Sequence, residues 1–168
     1  MKWRTRLQHL YHRVFWRLVR RAPSLLDVYV RQPPSSQNAI DLFAGQWWSA
    51  FPSDLSVKAG GLSLFADERI EWMARELGGV TGWRILELGP LEGAHTAMLE
   101  QAGAADVVAI ESNSRAYLKC LITKEILGLK RARFLLGDFR GYLAADGADR
   151  FDLAVACGCS TTWLIPLP

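Results

Sequence analysis

Residues 83–101 constrain the fold more than any other stretch of this chain. Trp83–Leu88 has the make-up of a short apolar strand, bounded by Gly82 and Gly89. Two glycines four apart, Gly89 and Gly93, follow, and Ala94–Gln101 then has the pattern of a helix. A strand that passes through a glycine turn into a helix suits a ligand. Glycine lets the backbone approach the ligand closely and take positive φ angles. The first turn of the helix offers unpaired N–H groups and a partial positive charge to an anionic group. In a parallel α/β sheet such a ligand lies outside the carboxyl ends of the strands.

The surrounding sequence continues the alternation. Asp67-Glu68-Arg69 opens a helix with Ile70, Met73, Ala74 and Leu77 as its apolar positions, and Gly78-Gly79 ends it. Strands are expected at Asp106–Ile110, Ala132–Leu136 and Phe151–Ala156. Helices are expected at Ser114–Leu127 and, more weakly, Arg140–Ala145. Alternating strands and helices imply a parallel sheet built from right-handed crossovers. The expected class is therefore α/β, a Rossmann-like sheet of about four strands with flanking helices, spanning residues 66–158.

The residues at the strand ends narrow the ligand. A dinucleotide site needs Gly-x-Gly-x-x-Gly, and Leu91 stands where its second glycine would be. Glu87 and Glu92 also bring negative charge to the turn, which disfavours a pyrophosphate and suits the ammonium of an amino-acid moiety. Glu111 closes the second strand, and its two oxygens match two adjacent ribose hydroxyls. Asp138, after the third strand, can accept from an adenine amino group, with Phe139 beside it. Three acids at successive strand ends, next to a glycine turn, point to one adenosyl ligand with an amino-acid tail.

With these residues in view, the stretch 64–158 resembles the class I S-adenosylmethionine-dependent methyltransferases. Glu87-Leu88-Gly89 through Gly93 is similar to their first motif, Glu111 to their ribose-binding acid, and Asp138-Phe139 to their adenine-contacting pair. Phe151–Gly158 is similar to their fourth strand. The resemblance implies S-adenosyl-L-methionine as cofactor, held by Glu87, Gly89, Gly93, Glu111, Asp138 and Phe139, and methyl transfer as the activity. It leaves the acceptor open, a small molecule or RNA, and names no catalytic residue. His95, at the second position of its helix, is expected to face solvent.

The family's sheet has seven strands, ordered 3-2-1-4-5-7-6. Residues 159–168 do not resemble its next helix, where Gly-Val-Leu-Tyr-His-Met-x-x-Pro would be expected in similar proteins. With a suitable choice of degenerate third bases, this tail read one frame over spells Val-Leu-Tyr-His-Met-Ala-Asp-Pro-Leu-Ala. The expectation is a frameshifted, truncated product of marginal stability and weak or absent turnover. A non-catalytic remnant or interaction module is the alternative reading.

The N-terminal region reads differently. Residues 1–31 hold Lys2, Arg4, Arg6, Arg13, Arg17, Arg20, Arg21 and Arg31 against Asp27 alone. This stretch is more basic than the whole chain, whose formal charge is +3, so the body is mildly acidic. Trp3, Leu7, Leu10, Tyr11, Val14, Phe15 and Leu18 recur at helical spacing, so residues 1–22 form a basic amphipathic helix in this reading. Contact with an anionic membrane surface, docking on a protein and a targeting role stay open for it. Residues 23–65 form a linker and an aromatic-rich lead-in whose Trp47-Trp48 pair suits a core or lid. Cys120, Cys157 and Cys159 form neither a disulfide framework nor a zinc spacing, so no metal and a cytoplasmic setting are expected.

Overall fold

The computed structural model describes residues 29–144 and 150–157. The helix expected at 1–22 and the tail 159–168 lie outside the described residues. The chain divides into two units, residues 1–33 and 34–168. All elements below belong to the second.

Four parallel strands make the sheet: β1 (Arg84–Leu88), β2 (Asp106–Glu111), β3 (Ala132–Leu136) and β4 (Leu153–Val155), in the order β3-β2-β1-β4. The helices are α1 (Ser36–Asp41), α2 (Glu68–Glu76), α3 (Ala94–Gln101), α4 (Ser114–Leu127) and α5 (Phe139–Leu143). Their starts are written in the sequence. Asp67, Asn113 and Asp138 accept from backbone N–H groups in the first turns of α2, α4 and α5 as N-caps. Gly128, at φ +63°, ends α4 in the left-handed region.

Strand alternation divides the core. Ile85 and Val107 pack with Ile70, Met98 and Leu99 on the side covered by α2 and α3. Leu86, Leu88, Val108 and Ile110 point the other way, where Phe139, Tyr142 and Phe151 pack against them. Each such side chain, fully buried, contributes roughly 1.5–3 kcal/mol. β3 and β4 are the sheet's edges among the described residues.

The register brings the strand ends level. Leu88 pairs with Ile110, Glu111 with Leu136, and Glu87 with Val155. Two further bonds extend the ladders into the loops: Gly89 N–H to Ile110 O and Gly137 N–H to Glu111 O, both 2.9 Å. Gly89, Glu111 and Gly137 therefore stand side by side along one rim.

The lead-in before α2 is a folded clamp. Gly60 N–H donates to Ser49 O, and Leu62 N–H to Trp48 O. A Cβ on Gly60 would lie 2.3 Å from the Trp48 backbone, so only glycine admits this approach. The paired tryptophans separate in role. Trp47 is buried, with Nε1 donating to Ile40 O at 2.9 Å, whereas Trp48 is exposed.

Candidate functional site

The turn after β1 carries the site. Gly89 and Gly93 take φ +70° and +79°, and Leu91 takes +57°. The leucine therefore adopts the left-handed conformation that a glycine would have supplied, at a cost of roughly 1–2 kcal/mol. It is held there from outside. The Glu111 carboxylate accepts Leu91 N–H at 3.1 Å with one oxygen and Asn113 N–H at 2.8 Å with the other. Cys120 Sγ approaches Leu91 O at 3.6 Å.

Glu87 lies on the same face of the sheet as Glu111, under α3, and is 1% exposed. Thr96 Oγ1 of α3 donates to its carboxylate. Burial raises the Glu87 carboxyl to about 7, the Thr96 hydrogen bond works against that rise, and the nearby Glu111 charge adds to it.

Glu92 does not play the part expected of it. It is buried, accepts the N–H groups of Trp48 and Ser49 at 2.8–3.1 Å, and pairs with Lys119 Nζ. Its charge is neutralised inside the protein by Lys119. What Glu92 does is bolt the lead-in clamp to the glycine turn.

His95 also departs from expectation. It is 7% exposed, and its Nε2 lies 2.9 Å from Asp67 Oδ2. Asp67 in turn takes a bidentate pair from Arg69, which holds its carboxyl well below the usual range. Burial lowers the His95 pKa, while Asp67 opposes that shift. The helical position suggested solvent because the covering surface, the 46–65 lead-in and the start of α2, comes from a distant part of the chain.

Asp138 stands at the rim, half exposed, as the N-cap of α5. Its pair with Arg140 lowers its carboxyl to about 2. Phe139 packs beside it on the Leu88–Ile110 face. The structure thus gathers Glu87, Gly89, Gly93 and Glu111 around the turn after β1, Glu87 bonded to Thr96 and Glu111 to Leu91 N–H. Asp138 and Phe139 sit at the next strand end, with Asp138 facing its own arginine.

A cavity of about 180 Å³ opens over the turn. Gly89, Pro90 and Leu91 form its floor, and Ala94 and His95 bring the start of α3. Ser49, Leu64 and Arg69 line it from the lead-in and α2, and Cys157 from beyond β4. Sequence reasoning missed Ser49, Arg69 and Cys157. A larger groove of about 1010 Å³ between α1 and α4 shares no residue with this site. Among the described residues no group of three or more His, Cys, Asp or Glu could hold a metal ion, and no helix is long and apolar enough to cross a membrane.

No protein-family profile and no curated protein matches the chain. Solved structures do. The N-terminal domain of EvdMO1 with SAH bound superposes with a TM-score of 0.55 at 25% identity, over 71% of this chain and 50% of that one. The same domain in the presence of SAH and D-fucose gives 0.54 at 23%, over 71% and 49%. EvdMO1 itself gives 0.55 at 21%, over 71% and 27%. The chain spans about half the length of those N-terminal domains. Its fold is that of the class I S-adenosylmethionine-dependent methyltransferases.

Proposed function

From that fold, we propose that residues 64–157 bind S-adenosyl-L-methionine as the cofactor-holding part of a methyl-transfer domain. The observation that carries the reading is the tie between Glu111, at the end of β2, and the Leu91 N–H in the turn after β1. It puts a two-oxygen acceptor beside a helix N-terminus and a bend of three left-handed residues. A ribose diol and an amino-acid tail match that pair of features.

The residues fit the group by chemistry. Glu111 takes the ribose hydroxyls, and Gly89 and Gly93 let the backbone pass close to the tail. The Glu87 carboxyl sits under the turn as the counter-charge for an ammonium. Asp138 and Phe139 serve the adenine, which requires Asp138 to give up part of its pairing with the exposed Arg140. The cofactor supplies a methyl activated on a sulfonium. The chain's contribution is position and orientation, the main need of an in-line displacement.

The acceptor is a separate matter. EvdMO1's N-terminal domain was crystallised in the presence of D-fucose, and a small hydroxylated acceptor is the reading we favour over RNA. The mildly acidic body offers nucleic acid no electrostatic attraction.

Calorimetric titration with SAH and with NAD tests the proposal. Binding of SAH in preference to NAD, abolished in Glu111→Ala, is the expected outcome. Preference for NAD, or SAH binding indifferent to Glu111, would refute it.

A further inference from the structure

We infer that the groove between α1 and α4 seats a second copy of this chain, and that the two copies pack their α4 helices antiparallel across it. The groove encloses about 1010 Å³ and shares no residue with the cavity over the glycine turn. The inference stands independently of the proposed cofactor.

Leu42, Leu118 and Leu121 line this groove at 60%, 48% and 38% exposure. Ile122 and Ile126 line it too, packed on the aromatic cluster of Phe43, Trp47 and Phe51. On α4 the apolar residues recur with Arg115 and Glu125 at steps of three and four, so they share one stripe. The other side of α4, with Ala116, Cys120 and Thr123, is already buried in the domain. A single exposed leucine is ordinary, but three around one groove mark a docking face.

The charges on the stripe identify the occupant. Arg115 stands in the first turn of α4 and Glu125 in the last, with Leu118, Leu121 and Ile122 between them. Each is at the wrong end for its own helix dipole, which favours acids at the start and bases at the end. A two-fold axis near position 120 turns that arrangement into a match. Arg115 of each copy then meets Glu125 of the other, Leu118 meets Ile122, and Leu121 lies beside the axis. A patch that is its own complement in this way closes as a dimer.

Arg115 is fixed in advance for that pairing. Its Nε and Nη2 donate to Gln46 Oε1 at 3.1 and 2.7 Å, and its guanidinium lies 5.2 Å over the Phe43 ring. Little side-chain freedom is therefore lost on association. With 14 residues, α4 is about 21 Å long. Together with α1, two copies of this face bury roughly 1,200 Å², the low end of a stable interface. The dimer is accordingly reversible, forming at micromolar concentration.

Sedimentation equilibrium on the full chain tests this. We expect a monomer–dimer equilibrium that SAH does not alter. Arg115→Glu and Glu125→Arg should each raise the dimer Kd at least tenfold, because like charges then meet twice across the axis. An equimolar mixture of these two variants should associate again, since acid meets base at both contacts. Such recovery separates the antiparallel contact from a mere loss of structure in either variant. Leu118→Glu should prevent association alone and in any mixture. A wild-type chain that is monomeric at every concentration would overturn the inference and leave the groove to another occupant. A dimer indifferent to Leu118→Glu, or to both charge reversals, would also overturn it. So would charge-reversed variants that stay monomeric when mixed.

Discussion

Glu111 holds Leu91: its carboxylate accepts the Leu91 N–H at 3.1 Å and fixes a non-glycine residue at φ +57° in the turn after β1. One side chain thereby links the end of β2, where we propose the ribose binds, to the geometry of the turn after β1. Substitution should therefore disturb stability and binding together. In Glu111→Gln the amide oxygen can accept only part of what two carboxylate oxygens accept, and its NH2 meets a donor. We expect a loss of about 1–3 kcal/mol in urea unfolding and at least a tenfold weaker SAH affinity.

The buried pair of Glu92 and Lys119 should behave as structure, not as chemistry. Lys119→Met leaves an uncompensated buried carboxylate and should cost about 3–5 kcal/mol. Adding Glu92→Gln should recover part of that loss, since the remaining charge is then gone. Thermal unfolding of the two single variants and the double variant reads this coupling directly.

The pH dependence has a defined sign. The Glu87 carboxyl is raised by burial from 4.5 to about 7 in the folded chain. Between those values the folded state keeps a proton that the unfolded chain has released. Its contribution to stability therefore falls as pH rises from 4.5 to about 7, and stays low above that. His95, lowered by burial from 6.5, acts in the opposite direction: the unfolded chain gains its proton first as pH falls, so its contribution improves with rising pH. Glu87→Gln isolates the first effect. Its stability relative to wild type, from urea midpoints, should rise between pH 5 and pH 7.5. A flat difference would show that Glu87 ionises normally.

Gly93 is a site where sterics alone decide. At φ +79°, an added Cβ would lie 3.0 Å from Phe134 Cζ and 3.6 Å from the Cys120 Cα. Gly93→Ala should lose about 1–3 kcal/mol from backbone strain, before any adjustment of Phe134. Gly61→Ala is the control, since its Cβ would meet nothing within 4 Å. Circular dichroism melts of the two variants should separate clearly.

The sheet was legible because its signals are local. Strand periodicity and the glycines after β1 act within a few residues. The helices at 94–101 and 114–127 came out with the expected bounds. The α5 helix begins at Phe139 and ends at Leu143, earlier than the expected 140–145, because Asp138 caps it directly. What stayed hidden depends on distant chain. The burial of His95 needs Asp67, twenty-eight positions away. The neutral environment of Glu92 needs Lys119 and two N–H groups from residues 48 and 49. Ser49 carries no pattern of its own, and only the clamp closed by Gly60 brings it to the cavity.

The central claim is that an adenosyl ligand lies along the rim from the Leu91 turn to Asp138, with its ribose on Glu111. A crystal structure of the chain grown with SAH tests it most directly. The account predicts both ribose hydroxyls within about 3 Å of the Glu111 oxygens and the amino-acid tail against the Gly89–Gly93 turn. Ligand density confined to the groove between α1 and α4, with Glu111 untouched, would contradict it.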